Sequence, residues 1–500
     1  MMDKVKTYLQ GIDDLGMYQV WHNIVNSPIP VECYGELYEI GLAHVNKNAK
    51  KSMGKYFTPD DVATLMSKWL LPLPGENICD VCCGVGNLIL AYLKLIGHEE
   101  ARKLILSDKL WLYDADGLAI RIAIEAIAKT FGRDLSSHIH MEIGDFLSRN
   151  THLPSNCKVI SNPPYAKVES KLVPFWKESK IVDETQELYA AMMEKILDES
   201  CSSVIITPQN YLGRKKFGSL REKISEHSGF IVPFDNTPGQ VFNGRKHGVF
   251  NSNTQNQVRP AIMVCDNKMN EFGWRVAGMV RFKNGERDKV LTPECLESMV
   301  GNVYQKPGIN RFKKCFPILE ETLFKWELFS QSPVLGKGSD ILKNYIDEDG
   351  DYYLNFVDTC RYFTVAYISD LYRAGKRMIA FKDEETRDIA YCFLNSSFCY
   401  WHWRLYDGEI TYQKGMLDSM PVFFKKLQQP ARKRLVEIAK EMQALEPTFL
   451  VTKKNSGKMM ESIRFPDKYR EEINEILLKS IGSDKNYLIF NSLHAHSIFL

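Results

Sequence analysis

The stretch Val159–Tyr165 reads Val-Ile-Ser-Asn-Pro-Pro-Tyr, and this order of residue types decides the fold expected for the first half of the chain. An apolar run that ends in a polar residue, two prolines and an aromatic predicts a buried strand followed by a rigid elbow. Pro163 and Pro164 fix φ and lack a backbone N–H, so the backbone there can only accept hydrogen bonds. Ligands of open α/β sheets bind at the carboxyl ends of strands. The elbow therefore predicts a binding site at one edge of a sheet.

The chemistry of this elbow suits a planar amino group attached to a ring. The Asn162 side chain and the Pro163 carbonyl are two acceptors for its two N–H hydrogens, and Tyr165 supplies an aromatic face for the ring. Such an amine is a poor nucleophile because its lone pair is delocalised into the ring. Accepting both hydrogens favours a pyramidal nitrogen whose lone pair can point at an electrophile. We therefore expect Asn162, Pro163, Pro164 and Tyr165 to form the catalytic site.

A glycine-containing turn lies upstream, where Ile78–Asn87 reads Ile-Cys-Asp-Val-Cys-Cys-Gly-Val-Gly-Asn. The pattern predicts a strand, a turn and a helix, with Gly84 and Gly86 allowing the backbone to approach a ligand closely. The dinucleotide fingerprint is incomplete because its third glycine position is Ile89, and no Gly-Lys-Ser/Thr follows as in a phosphate-binding loop. The turn alone does not identify its ligand.

Acidic residues follow the next two predicted strands. Asp114 ends the strand Leu110–Tyr113, a position that suits the hydroxyls of a ribose. Asp145 and Phe146 follow the third strand, where the carboxylate can accept from an adenine amino group and the ring can pack on the base. Asp116 directly precedes a helical run, and we interpret it as a helix N-cap rather than a ligand.

In this order, these motifs resemble the gamma group of S-adenosylmethionine-dependent N6-adenine DNA methyltransferases. The resemblance covers roughly residues 50 to 265 and includes Gly54–Pro59 (Gly-Lys-Tyr-Phe-Thr-Pro), which looks like the segment that closes over the methionine end of the cofactor. The cofactor-binding residues that the resemblance implies are Tyr56, Phe57, Thr58, Pro59, Asp80, Cys83, Gly84, Gly86, Asn87, Asp114, Asp145, Phe146 and Asn162.

The resemblance continues beyond the elbow. Glu187–Ala190 and Val204–Pro208 look like the family's next helix and strand, and Gly239–Phe242 followed by Val258–Val264 looks like its final hairpin. In the family, the aromatic residue of this hairpin is a partner for the flipped base, so Phe242 is expected to stack on it together with Tyr165. The stretch from Asn243 to Gln257 departs from the family pattern.

The fold class expected from these patterns is α/β, a Rossmann-like methyltransferase sheet with a C-terminal α+β target-recognition domain. The predicted domains are 1–268 (N-terminal helices plus the catalytic domain), 269–445 (target recognition) and 446–500 (a helical segment). Alternation of strands and helices stops after about residue 268, and residues 430–480 show apolar positions at helical spacing. Phe393–Gly408 resembles the end of the family's target-recognition domain.

Composition sets the remaining bounds. A 44% hydrophobic and 25% charged content is that of an ordinary globular protein, and a net charge of +2 means that any DNA surface must come from local segregation of basic residues. The 12 cysteines are irregularly spaced, and Cys79-x-x-Cys82 is half a zinc site without a second Cys-x-x-Cys, so we expect no metal.

The sequence lacks a signal-like N-terminus and a membrane-length apolar run, which predicts a cytoplasmic protein that does not contact membranes.

The resemblance implies a site-specific DNA adenine-N6 methyltransferase that uses S-adenosylmethionine and acts on a flipped adenine in double-stranded DNA. We expect a monomer, with a separate cognate restriction endonuclease as a possible partner. The same Asn-Pro-Pro-Tyr also suits RNA adenine or protein glutamine. The long C-terminal half favours DNA, because a glutamine-modifying enzyme needs no second domain of that size. A degenerate DNA-binding subunit would show an eroded site, whereas these motifs are intact.

Overall fold

The computed structural model describes residues 21–22, 25–26, 28–35, 37–38, 58–168, 179–243, 258–266, 273–331, 339–455 and 458–499. Two compact units divide the chain. The first comprises Met1–Phe312 with Phe499–Leu500, and the second comprises Lys313–Ile498.

Within the described residues, the first unit is built on one eight-stranded sheet in the order β3-β2-β1-β4-β5-β7-β6-β8. The strands are β1 Asn77–Val81, β2 Leu110–Asp114, β3 Ile139–Ile143, β4 Cys157–Ser161, β5 Ser202–Pro208, β6 Gly229–Pro233, β7 Pro260–Asp266 and β8 Trp274–Val276. Strand β7 runs antiparallel to both of its neighbours, whereas β1 to β5 pair in parallel. This is the Rossmann-like sheet that the sequence predicted.

The helices of the first unit connect these strands. They are α1 Asp60–Leu70, α2 Asn87–Ile96, α3 His98–Leu106, α4 Gly117–Phe131, α5 Lys180–Thr185, α6 Leu188–Glu199, α7 Asn210–Gly213, α8 Gly218–Ile224, α9 Arg287–Val290 and α10 Pro293–Glu297. Helix α4 begins where Asp116 accepts from the backbone N–H groups of Leu118 and Ala119, which confirms its predicted N-cap role.

The topology places the site-bearing strand ends together. Strands β4 and β5 are buried along their whole lengths, as expected for central strands covered on both faces. From β1 the chain proceeds outward to β2 and β3, and then returns to the other side of β1 as β4. Such a switch point opens a crevice at the carboxyl ends of the two central strands. The glycine turn and the Asn-Pro-Pro-Tyr elbow both follow strands that end there.

The second unit contains two small sheets among helices. Its strands are β9 Tyr352–Val357, β10 Ala366–Tyr367, β11 Lys376–Phe381, β12 Leu450–Asn455 and β13 Lys458–Ile463, in the orders β10-β9-β11 and β12-β13. Its helices are α11 Glu320–Phe329, α12 Glu384–Asn395, α13 Ser397–Tyr406, α14 Lys414–Asp418, α15 Gln429–Leu445, α16 Asp467–Ser480 and α17 Tyr487–Ser492.

The observed division differs from the predicted domain boundaries. Residues 273–312 belong to the first unit, because β8 hydrogen-bonds to β6 and extends its sheet. The expected helices α15 and α16 are present, but the β12–β13 ribbon lies between them, in a region predicted as helical. Assignment of target recognition to 269–445 remains a prediction. No helix among the described residues is long and apolar enough to cross a membrane.

Candidate active site

A cavity of about 640 Å³ lies in the first unit, at the edge where β1, β2, β3 and β4 end. Its volume falls within the range of about 300–1,000 Å³ that is usual for cofactor and small-molecule sites. The sequence-predicted residues on its wall are Thr58, Cys83, Gly84, Asn87, Asp114, Asp145, Phe146, Asn162 and Pro164. Positions more than a hundred residues apart in sequence therefore meet around one space.

The buried Asp114 carboxylate connects β2 to the glycine turn. Its Oδ2 accepts from the Gly84 N–H at 2.7 Å, and its Oδ1 accepts from the Asp116 N–H at 2.8 Å. The same carboxylate lies on the cavity wall. Asp114 thus shapes the glycine turn and also borders the cavity.

Gly86 is required by packing rather than by contact with the cavity. It adopts φ +85° at the start of α2, a region that favours glycine, and a Cβ there would lie 2.9 Å from the Ala123 Cβ of α4. Gly84, at φ 53°, is the glycine on the cavity wall. Glycine is therefore needed at position 86 for close packing against α4, whereas Gly84 forms part of the cavity wall.

Asp80 lies beneath the glycine turn and is fully buried. Its Oδ2 accepts from the Ile89 N–H in the first turn of α2 at 3.1 Å. Burial raises the pKa of the Asp80 carboxyl well above its usual range, the Ile89 hydrogen bond lowers it, and the nearby Asp114 raises it. The structure shows Asp80 supporting the turn, and its side chain does not line the cavity.

Asp145 and Phe146 form the part of the wall that follows β3. Asp145 is exposed, with Oδ1 accepting from the Leu147 N–H at 3.0 Å, while Phe146 is 4% exposed and meets Tyr113 edge-on with ring centroids 5.5 Å apart. A free acceptor edge beside an apolar ring is the pairing that an adenine needs. The structure places both predicted residues on the cavity wall, and their contact with an adenine remains a prediction.

Thr58 bridges the cofactor-side turn and the elbow. Its carbonyl oxygen accepts from Asn87 Nδ2 at 3.2 Å, and its Oγ1 accepts from Asn162 Nδ2 at 3.0 Å. The Asn162 amide is therefore anchored at its nitrogen, which leaves Oδ1 as its acceptor. The predicted neighbours Tyr56 and Phe57 lie outside the described residues, and Pro59 caps α1 without lining the cavity.

Two aromatic rings lie on the far side of Asn162. The Tyr165 hydroxyl donates to Asn162 Oδ1 at 2.8 Å and also approaches the Ile206 carbonyl at 3.2 Å. Phe242, which is half-buried, meets the Tyr165 ring edge-on with centroids 6.1 Å apart and planes at 68°. The structure thus brings together the two predicted stacking residues, although 244–257 of the departing stretch lie outside the described residues.

Sequence reasoning missed several residues of the wall, including Tyr38, Cys82 and Met192. The Tyr38 hydroxyl donates to Asp116 Oδ2, and burial followed by the charge of Asp116 raises the Tyr38 pKa. Cys82 has φ 64°, unusual for a residue with a side chain, and its Sγ lies 3.4 Å from Met192 Sδ. Cys82 belongs to the glycine-turn motif but was not predicted to contact the cofactor, and no motif marked Tyr38 or Met192, since their positions depend on how the N-terminal segment and α6 pack.

The donor set of this cavity fits a nucleoside cofactor. It combines a buried carboxylate on the cavity wall (Asp114), an exposed carboxylate beside an apolar ring (Asp145 with Phe146), and a glycine turn. The strand order and this site define the class of Rossmann-like methyltransferases. Residues 31–244 match the family described as N-6 DNA Methylase. This match confirms, for this part of the chain, the family resemblance that the sequence motifs indicated.

Two curated relatives are similar to shorter parts of the chain. The type I restriction enzyme MpnII methylase subunit of Mycoplasma pneumoniae is 28% identical over 100 residues, which are 20% of this chain and 17% of the relative. The type II methyltransferase M.VspI of Vibrio sp. (strain 343) is 27% identical over 158 residues, 31% of this chain and 35% of the relative. The chain therefore spans less than half the length of either relative.

Solved structures are similar at low identity. The type I restriction-modification system methyltransferase subunit from Streptococcus thermophilus matches 59% of this chain and 62% of its own, with 14% identity and a TM-score of 0.35.

Proposed function

We propose that this protein is a site-specific DNA adenine-N6 methyltransferase that methylates a flipped adenine in duplex DNA. The observation that carries the proposal is the position of Asn162, whose side chain is on the wall of the nucleoside-sized cavity and is also bonded to Tyr165, next to Phe242. One side of Asn162 suits a cofactor, and the other suits a base.

The cofactor in this proposal is S-adenosylmethionine, which supplies an electrophilic methyl group when bound. Asp114 would accept from the ribose hydroxyls, Asp145 from the adenine amino group, and Phe146 would pack on the adenine ring. Thr58 and Asn87 close the wall near Asn162 through their hydrogen bond. These assignments use only acceptors and apolar faces that the cavity presents.

The elbow residues would prepare the target amine. Asn162 Oδ1 accepts from the Tyr165 hydroxyl, and in this proposal the same oxygen also accepts an N–H of the target. The Pro163 carbonyl would accept the other hydrogen, since neither proline offers a competing donor. The adenine amine is paired inside a duplex, so the nucleotide must rotate out to reach this site. Stacking on Tyr165 and Phe242 would then return roughly 1–3 kcal/mol of the cost.

Duplex DNA is the proposed substrate because the chain has a second compact unit, Lys313–Ile498, to which this proposal assigns target recognition. The similarity to the methylase subunit of a type I restriction enzyme supports membership of a restriction-modification system. A separate cognate endonuclease is part of this proposal. We propose that the enzyme acts as a monomer in the cytoplasm.

The test is expression of the full chain in a bacterial host that lacks adenine methylation, followed by single-molecule mapping of N6-methyladenine. The proposal expects methylation at one sequence context, and none with Asn162→Ala produced at the same level. Genomic DNA without N6-methyladenine contradicts it. Incubation of the purified protein with methyl-labelled cofactor and total RNA or protein then identifies RNA adenine or protein glutamine as the substrate.

A further inference from the structure

A buried arginine lies beside the turn that carries Phe242. Arg287, the first residue of α9, is 9% exposed. Its Nη1 donates to the Gln240 carbonyl at 2.7 Å, and its Nη2 donates to the Val241 carbonyl at 2.6 Å. These are the two residues directly before Phe242, so the guanidinium holds the backbone from which the ring projects.

The other side of the same guanidinium is paired with α1. Its Nε and Nη2 donate to the two carboxylate oxygens of Asp61, the Nη2 contact measuring 2.9 Å. Bidentate pairing of this kind fixes orientation as well as distance, because the planar fork matches the carboxylate. Asp61 Oδ1 also accepts from the Val62 N–H at 2.8 Å, which ties the carboxylate to the first turn of the helix.

This helix begins two residues after Thr58, the residue that anchors Asn162. A continuous path of contacts and chain segments therefore runs from the elbow through Thr58 and α1 to Asp61. It continues through Arg287 to the Val241 carbonyl, along the chain to Phe242, and from its ring back to Tyr165. None of the elbow motifs includes Arg287, which lies 45 positions beyond Phe242 in the chain.

We propose that Arg287 is a positioning residue for the target base, which holds Phe242 against Tyr165 by fixing the preceding two carbonyls to Asp61. The role of Phe242 in stacking on the target base rests on the proposed function. The hydrogen bonds by which Arg287 fixes the turn before Phe242 are present in the protein without DNA. A lysine cannot reproduce it, since a single ammonium lacks the planar fork that serves two carbonyls and a carboxylate together.

The chain offers a matched control. Arg102 also pairs with both oxygens of an aspartate, Asp134, at 3.1 and 2.7 Å, and donates to a backbone carbonyl, that of Phe131, at 2.7 Å. Arg102 belongs to α3 and touches none of the residues assigned to the site. Arg102→Met therefore removes a similar set of contacts without disturbing the Phe242 turn.

The first measurement is independent of methyl transfer. 4-Fluorophenylalanine is placed at position 242 of the full chain, and its ¹⁹F resonance is recorded without DNA. Arg287→Met and Asp61→Asn should shift and broaden the resonance, whereas Arg102→Met should leave it unchanged. A resonance unaffected by both Arg287→Met and Arg287→Lys, in variants that keep the parent's circular dichroism, overturns the proposal.

The second measurement tests whether the fixing of the Phe242 turn by Arg287 affects the reaction. A duplex with 2-aminopurine at the mapped target adenine reports flipping, and Arg287→Met should lose this signal and about a hundredfold in kcat/KM, the scale of a misplaced positioning group. Its affinity for S-adenosylmethionine without DNA should match that of the parent. The flipping signal and kcat/KM of Arg287→Lys should lie between those of the parent and of Arg287→Met. Adding Asp61→Asn to Arg287→Met should change these values little further. Full flipping and turnover in Arg287→Met overturn the proposal, whereas absence of methylation by the parent refutes the proposed function and leaves the ¹⁹F result decisive for Arg287.

Discussion

The hydroxyl of Tyr165 donates a hydrogen bond to Oδ1 of Asn162 across 2.8 Å. The residue assigned to stacking thus also touches the acceptor atom assigned to the target amine. With Asn162 Nδ2 bonded to Thr58 Oγ1, both ends of the amide are held before any substrate arrives. A preorganised acceptor costs less reorganisation at the moment of reaction.

Tyr165→Phe keeps the ring and removes this hydrogen bond, so it separates the two roles of Tyr165. A neutral hydrogen bond contributes about 0.5–1.5 kcal/mol, so the single-turnover methylation rate should fall by up to about tenfold. Tyr165→Ala also loses base stacking and should fall much further. Equal rates for the Phe and Ala variants would show that the ring does not stack on the base.

Thr58→Val keeps the shape of the side chain but removes the acceptor of Asn162 Nδ2. The amide is then free to rotate, and the single-turnover rate should fall by about fivefold, since one hydrogen bond of about 1 kcal/mol is lost. Cofactor affinity should change little, because Asn87 bonds to the Thr58 backbone carbonyl instead of the side chain. Thr58→Ser should restore the rate, and a Ser variant as slow as the Val variant contradicts this reading.

Asp114→Ala should weaken binding of S-adenosylmethionine measured by titration calorimetry. Loss of hydrogen bonds to a charged group costs about 1.5–3 kcal/mol each, and the Gly84 N–H also loses its partner. The expected rise in Kd is therefore at least about tenfold. Asp134→Ala, at a carboxylate on the surface of the same unit, is the control and should bind normally. An unchanged Kd for Asp114→Ala removes this residue from the cofactor site.

Phe242→Ala should reduce both the 2-aminopurine flipping signal and the methylation rate, because one of the two faces that stabilise the extrahelical base is lost. Stacking contributes roughly 1–3 kcal/mol for a base. Phe242→Tyr keeps the ring and should behave like the parent protein. If Phe242→Ala retains the parent's flipping and rate, the second stacking partner lies elsewhere.

Asp80→Asn tests the effect of burying a carboxyl beneath the glycine turn. Because burial raises the pKa of Asp80 in the folded state, the folded protein holds a proton that the unfolded chain releases above about pH 4. The contribution of the protonated Asp80 carboxyl to the free energy of unfolding is therefore fully present below about pH 4. It is lost as the pH rises through the folded-state pKa. The Tm of the parent should fall relative to that of Asp80→Asn as the pH rises from 4 to 7. A constant difference between the two melting curves would show an ionised Asp80.

The sequence was sufficient for the order of the strands that carry the site. The runs that end at Val81, Asp114 and Asn162 are short and mostly apolar, and the run that ends at Ile143 alternates apolar and polar residues. Turn residues follow all four, and parallel strands place their carboxyl ends on one edge of a sheet. This reasoning also identified Asp116 as a cap, because an N-cap depends only on the residues that follow it. It missed the β12–β13 ribbon, although Asn455, Ser456 and Gly457 are typical turn residues, because amphipathic helices flank it on both sides.

Only the tertiary structure decided the contacts between segments distant in the chain. Local patterns name Thr58, Asn162 and Phe242 as candidates, but they carry no information on which polar atoms meet when the segments pack. The tie from Arg287 to Asp61 spans 226 positions, and no period or spacing can predict it. The sequence by itself thus determined the chemistry available at the sheet edge, because that chemistry follows from residue types at strand ends. The fold determined how Asn162 is held and which side chains support Phe242, because those depend on close packing of α1, α9 and the Phe242 turn.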